Sequence, residues 1–362
     1  MTPPDRARLT IDLDALAHNR AVLAAEAPGA EIAAVVKSDG YGLGVGPVAR
    51  RLHTEGTRSF FVARIAEGEA LRNELAGRDA KIYVLDGLRA GSAGRMAASA
   101  LTPVISTLDQ AYDAMALTAQ SGLEIAMQID TGMNRQGLSL AEARALTNAP
   151  EYPGNLRIVL IMSHLGSAAD PQATRNAQQL ARFGDALALF PGVRASLAAS
   201  AGAFLGDDYR HDMIRAGISL FGGGPEERPD PRLKAVATLT APILDIRDLK
   251  PGDRVGYGSS FTADRSMRVA VVAAGYTDGV IRAAMGKGHA WAAGALRPLL
   301  AVNMDLLVID LGEGRAEIGD QVELLGSHAL LDDVATAAGT VAHEILIRLS
   351  TRAERTYLGA SV

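Results

Sequence analysis

The chain has 362 residues, a length that suits two domains or one large barrel with an appendage. It is 48% hydrophobic and 21% charged, and its 36 basic against 41 acidic residues (net −5) leave no basic excess for nucleic acid or an acidic membrane. With no cysteine, it has no disulfide, no thiolate metal site and no cysteine nucleophile. The opening MTPPDRARLTIDLD has no apolar segment followed by a cleavage site. No run approaches about 18 apolar residues, so the cytoplasm is the expected address.

In chain order, a helix is expected from about Asp14, taken as its N-cap, to Glu26. Short apolar runs then predict strands at Ile32–Val36, Ser59–Val62, Lys81–Leu85, Thr102–Ile105, Glu124–Ile129, Arg157–Met162, Ala195–Ala198 and Gly217–Phe221. Helical patterns fall between most of them, at Val45–Leu52, Ile65–Leu75, Leu108–Gln120, Ala141–Leu146 and Ala173–Leu189. Eight strands alternating with helices over about 220 residues fit a (β/α)8 TIM-type barrel, residues 1–233, better than an open doubly wound sheet.

Past about Lys234 the texture changes, after the Gly/Pro-rich GGGPEERPDP. Strand-like runs at Val236–Leu239, Ile243–Ile246, Val269–Val272, Leu299–Val302, Leu306–Ile309 and Gln321–Leu325 are interrupted by one short helix, Val334–Ala338. The expected second domain, residues 234–362, is therefore mostly β.

Lys37 stands where the first barrel strand gives way to a loop containing Gly40, Gly42, Gly44 and Gly46. An amine at such a rim is partly desolvated, which favours its neutral, nucleophilic form. The glycines let backbone N–H groups approach an anion, and Tyr41 offers a hydroxyl beside them. This reads as a Schiff-base lysine with a phosphate cradle, although a lysine snorkelling at a strand end gives the same local pattern. In a barrel, chemistry gathers at the C-terminal strand ends. The polar residues placed there are Lys37, Tyr41, Asp130 to Arg135, His164, Ser200 and Arg215, a set that together favours a functional rim. In the second domain, Tyr276 between glycines and Met304 in Asn303-Met304-Asp305 stand out, yet alone they read as a turn tyrosine and core filler.

These segments resemble the bacterial alanine racemase family. VVKSDGYGLG at 35–44 is similar to its cofactor-lysine segment and IDTGMNRQG at 129–137 to its DTGMxRxG. SHLGSAAD, ASAG, IRAGISLFG, GYGSSF, GYTDG and NMD follow in the family's order, so the likeness spans nearly the whole chain. It implies a barrel with a C-terminal β domain, pyridoxal 5'-phosphate as cofactor, and interconversion of L- and D-alanine for peptidoglycan. Lys37 would hold the cofactor covalently and act as one base, with Tyr276 as the second base on the opposite face. Arg135 would contact cofactor and substrate carboxylate, and His164 would pack on the pyridine ring. Arg215 would donate to the ring nitrogen. Tyr41, Ser200 and the backbone of Gly217 and Ile218 would bind the phosphate, and the Met304 N–H the substrate carboxylate. A head-to-tail homodimer with shared sites is implied too, with no metal, membrane or nucleic-acid partner.

The assignment makes chemical sense. Racemisation removes a proton from one face of a carbon and returns one to the other, which two positioned bases do without turning the intermediate over. An arginine at the ring nitrogen donates a hydrogen bond but no full proton, so the electron sink is weakened and side reactions are limited. Five residues depart from the family's pattern. Gln128 occupies a position often held by lysine, and Ala199 one usually held by asparagine. Ser38 and Gly40 replace alanines, and Thr351 stands in for a tyrosine.

Rival readings are a racemase of serine or of many amino acids, and a non-catalytic pyridoxal-phosphate carrier. The β domain argues against the carrier. A barrel decarboxylase lacks its usual cysteine here, and seven scattered histidines without metal spacing disfavour a metal-dependent barrel.

Overall fold

The computed structural model describes residues 6–150, 152, 156–349 and 351–359, with backbone alone at 118–121. The domain limits drawn at 1 and 362, and the start of the segment read for a signal, lie outside these residues. Within them the chain forms two compact units: residues 19–220, and residues up to His18 together with those from Phe221 onward. This division differs from the expected bounds, because the leading segment joins the β unit and the second crossing falls near 221.

The first unit is a ring of parallel strands. Ala195–Ser196, Arg157–Met162, Glu124–Gln128, Leu101–Ile105, Lys81–Val84, Ser59–Val62, Glu31–Val35 and Met213–Ala216 neighbour one another in that order. The parallel bridge between Ala199 and Arg215 joins the two ends of the series. Buried on both faces, the strands are near-continuous apolar runs, which is why they were legible. Their inward side chains include Ala33, Phe61, Tyr83, Val104, Ala126, Leu160 and Met213, one buried cluster filling the barrel. Phe61 and Tyr83 stack at 4.5 Å between ring centroids.

The last strand corrects the expectation at Gly217–Phe221: the strand is Met213–Ala216, and Ile218–Phe221 is a 3-10 turn. The Leu220 N–H closes back on the Gly217 carbonyl at 2.9 Å, so the chain turns at the glycine. Arg215 hid the strand, because a charged residue inside Met-Ile-Arg-Ala breaks the apolar run. The first helix, Leu13–Glu26, is capped two residues earlier than expected. Asp12, not Asp14, accepts from the N–H groups of Asp14 (2.8 Å) and Ala15 (2.9 Å).

The β unit is antiparallel. Met267–Val272, Leu307–Asp310, Ala295–Val302, His289–Ala292, Gln321–Leu325 and Ala237–Leu249 pair in sequence, and the last pairs again with the first, closing a ring. The runs expected at Val236–Leu239 and Ile243–Ile246 are one 13-residue strand with an irregularity between Ile243 and Asp245. Its first half also pairs antiparallel with Arg8–Asp12, which in turn pairs parallel with Glu354–Leu358. Neither short strand was anticipated. Ala263, Met267, Val269, Leu300, Ala301 and Val308 form a buried cluster of this unit. No helix among the described residues is long and apolar enough to cross a membrane.

Candidate active site

In the barrel unit the strand Glu31–Val35 delivers Lys37 to the rim, with the Val36 N–H bonded to the Phe61 carbonyl. The next four residues are left-handed: Ser38 (φ 55°), Asp39 (57°), Gly40 (63°) and Tyr41 (57°). A left-handed turn costs about 1–2 kcal/mol for each non-glycine residue, so three of these positions are held against their preference. Glu67 accepts from the Ser38 N–H at 2.7 Å, and Asp39 accepts from the Val45 N–H at 2.8 Å. These bonds fix the turn and thereby the direction of the Lys37 side chain. Burial and then the nearby Arg135 charge hold the Lys37 amine below the ordinary lysine value, with Glu67 opposing.

Tyr41 is 5% exposed, and burial pushes its phenol upward, so the group remains a donor. It lies against Gly217, where an added Cβ would come within 2.5 Å of the phenol oxygen. The Ser200 hydroxyl accepts from the Gly217 N–H (2.9 Å) and the Ser219 N–H (3.2 Å). Ser219 Oγ is itself buried with no partner among the described residues. Hydroxyls, backbone amides and a glycine whose side-chain space is needed make a cradle suited to a phosphate.

Arg215 is buried, and desolvation ahead of the Arg135 charge pushes its guanidinium down to about 9. Its Nη1 donates to the Ser196 carbonyl and hydroxyl, both at 2.7 Å. Its Nη2 reaches the carbonyls of Ser163 and Leu197 and lies 3.2 Å from His164 Nδ1. No bond is made through Nε among the described residues. That donor fits an acceptor such as a pyridine nitrogen.

Arg135 is exposed, at the end of a loop tied at both sides. Asp130 Oδ1 accepts from the N–H groups of Gly132, Met133 and Asn134 at 2.8, 2.9 and 3.2 Å. Gln128, at the position often held by lysine, donates its amide to the Gln136 carbonyl at 3.0 Å. It acts on the backbone next to Arg135.

A group of residues that sequence reasoning missed lies on the helix Thr174–Leu187. The Gln179 amide donates to Thr131 Oγ1 (3.2 Å) and to the His164 carbonyl (2.9 Å), while its oxygen accepts from the Gly166 N–H (2.8 Å). Arg175 donates to the Gly132 carbonyl and Arg182 to that of Thr131. Positions 175, 179 and 182 share one helical face. Of the three only Gln179 is buried; Arg175 is half-buried and Arg182 exposed, so the sequence pattern resembles that of a solvated stripe.

In the β unit, the Tyr276 N–H donates to the Asn303 carbonyl (3.0 Å) and the Thr277 N–H to that of Met304 (3.1 Å), locking two loops together. An added Cβ at Gly275 would strike the Asn303 and Met304 carbonyls at 2.3 Å, so only glycine permits this approach. Tyr276 and Met304 are 43% and 53% exposed, which corrects the reading of Met304 as core filler. Tyr276, Arg282, Glu344, Arg348 and Thr351 line a hollow of about 660 Å³. Arg352 donates through Nε and Nη2 to Asp278 (2.8 and 2.6 Å) and through Nη1 to Asp305 (2.5 Å).

Comparison with known proteins follows the same division. Residues 11–225 match the N-terminal domain of alanine racemase, and residues 236–357 its C-terminal domain. The chain is 41% identical over 356 residues to a catabolic alanine racemase of Agrobacterium fabrum, covering 97% of this chain and 92% of that one. It is 41% identical to an alanine racemase of a Methylobacterium species, covering 99% of each. The crystal structure of alanine racemase from Bartonella henselae, with covalently bound pyridoxal phosphate, superposes with a TM-score of 0.92 at 34% identity, covering 98% of this chain and all of that one.

Proposed function

The chain belongs to the alanine racemase family, and we propose from its two sets of rim residues that it interconverts L- and D-alanine with pyridoxal 5'-phosphate as cofactor. The observation that carries this reading is Lys37, an amine biased towards its neutral form at a fixed strand end, close to Arg135 and followed directly by the Tyr41 cradle. When bound, the cofactor acidifies the substrate α C–H by delocalising the electron pair left behind.

The chain's residues then supply position and proton transfer. Lys37 is the covalent anchor and the base on one face, and the Tyr276 oxygen is the base on the other. Tyr41, Ser200, Gly217 and Ile218 hold the phosphate. Arg215 presents Nε–H to the ring nitrogen and His164 packs against the ring. Arg135 and the Met304 N–H take the substrate carboxylate, which fixes the α C–H between the two bases.

A head-to-tail homodimer belongs to the same proposal. Tyr276 and Met304, both exposed, would complete the barrel pocket of a second copy. The setting is the cytoplasm, with D-alanine supplied to peptidoglycan. Because enantiomers have equal free energy, supply and demand alone set the direction of flux, which accommodates a relative named as catabolic.

The test is an absorbance spectrum of the purified protein followed by assay of D-alanine formed from L-alanine. A band near ~420 nm with D-alanine appearing is the expected outcome for a lysine-anchored cofactor. A band with no turnover of alanine, but turnover of another amino acid, would replace the substrate. No band in the presence of added pyridoxal phosphate would remove the assignment of Lys37.

A further inference from the structure

We infer that Arg352 is a positioning residue for Tyr276 and Met304, acting as a brace across the two loops that carry them. The inference rests on the reading of Tyr276 as a base. Nothing in the sequence around Arg352 marks it out.

The geometry is specific. Asp278, two residues after Tyr276, has a side chain only 2% exposed, and Arg352 meets it in a two-pronged pair. The same carboxylate accepts from the Gly275 N–H at 2.9 Å, so it closes the turn Gly275–Asp278 with Tyr276 inside it. The third prong of Arg352 goes to Asp305, the residue after Met304. Asp305 also accepts from Thr277 Oγ1 at 3.2 Å, and that hydroxyl lies 2.7 Å from the Met304 carbonyl. Both loops therefore end on one guanidinium.

Planarity makes the brace directional. A guanidinium offers its donors in a fixed fork, so two carboxylates bound to it have a set separation and tilt that an ammonium group does not impose. Charge adds to this. Arg352 holds the Asp305 carboxyl below its ordinary value and is itself raised by Asp278 first and Asp305 second. Without the arginine, one buried and one exposed carboxylate would flank Tyr276 unneutralised. Their field would oppose the negative oxygen that a tyrosine base must carry.

The test uses the holoenzyme and the initial rate at which α-deuterium washes out of L-alanine and, separately, of D-alanine. A base on one face serves one enantiomer's washout, so the ratio of the two rates reports Tyr276 independently of Lys37. Arg352→Met is expected to retain the cofactor absorbance and to shift that ratio about 10-fold or more, with a raised KM for alanine from the displaced Met304. Arg352→Lys, which keeps the charge and loses the fork, should recover only part of the shift. A merely structural role would lower the melting temperature and depress both rates together; that outcome in folded, cofactor-bound protein overturns the inference. Should Arg352→Met not fold, the exposed partner decides. Asp305→Ala cuts one prong and is expected to shift the ratio about 3-fold in the same direction, and an unchanged ratio overturns the brace. Tyr276→Phe separates the two layers of argument. If it too leaves the ratio unchanged, the assignment of Tyr276 as a base fails; if it shifts the ratio and the Arg352 variants do not, only the brace fails.

Discussion

Arg215 Nη2 lies 3.2 Å from His164 Nδ1, joining two rim residues through one polar contact. A guanidinium has donors only, so Nδ1 is the acceptor in this pair. The same arginine satisfies carbonyls of Ser163, Ser196 and Leu197. Arg215→Met strands these acceptors, while removing a desolvated charge offsets part of the cost. The expected net loss is about 2–4 kcal/mol of stability in a urea titration, and a variant as stable as the parent would contradict the bonding described.

Lys37 gives a pH signature. A lysine lowered on folding binds fewer protons in the native state than in the unfolded chain. Stability of the cofactor-free protein therefore rises with pH between the native and unfolded values and is flat below them. The rate of cofactor capture should rise over the same interval, with a midpoint below that of a free lysine. Because Arg135 contributes to the shift, Arg135→Leu should move that midpoint upward. An unmoved midpoint would mean burial alone sets the amine.

Gly217→Ala tests the cradle. Its methyl would lie 2.5 Å from the hydroxyl of Tyr41, a residue only 5% exposed and with little room to retreat. Cofactor affinity is expected to fall by about 10-fold or more, read by fluorescence titration, with a smaller change in the melting temperature. Retention of full affinity would show that the phosphate sits elsewhere.

Gln179→Leu keeps the volume and removes three hydrogen bonds at once, those of Thr131 Oγ1, the His164 carbonyl and the Gly166 N–H. A loss of about 2–4 kcal/mol is expected, together with a rise in KM as the Arg135 and His164 loops lose their common anchor. A stability change without any change in KM would confine Gln179 to folding.

Mixing tests the shared site. Lys37→Ala and Tyr276→Phe are each expected to be nearly inactive. If each pocket draws on two subunits, a mixed dimer has one doubly damaged pocket and one intact pocket. Random exchange of equal amounts should then restore about a quarter of the parental activity. No recovery in mixtures shown to exchange subunits would place both bases on one chain.

Much of this was visible beforehand, for identifiable reasons. Ser59–Val62 is buried throughout and Arg157–Met162 over its second half, so their apolar runs stand out at their true bounds. Lys37 was legible because a charge ended an apolar run beside glycines. Arg215 misled, because a charged residue inside the strand Met213–Ala216 pushed the reading four residues downstream. Arg8–Asp12 and Glu354–Leu358 were missed since each is short, half exposed and meaningful only through a partner far along the chain. Gln179 and Arg352 were invisible for a related reason: a polar residue on a helix face or in a turn has the same local signature whether it meets water or a buried carboxylate.

The strand Arg8–Asp12 has a consequence for synthesis. It leaves the ribosome ahead of both its partners, the antiparallel one beginning at Ala237 and the parallel one at Glu354. The whole span 19–220, with its parallel ring, emerges before either arrives. A domain made early can fold while translation continues, but this strand must wait for partners made more than two hundred residues later. The β unit therefore closes only after the segment Glu354–Leu358 has been made, and a chain stopped before it would carry a formed barrel and a sheet that still lacks its last strand.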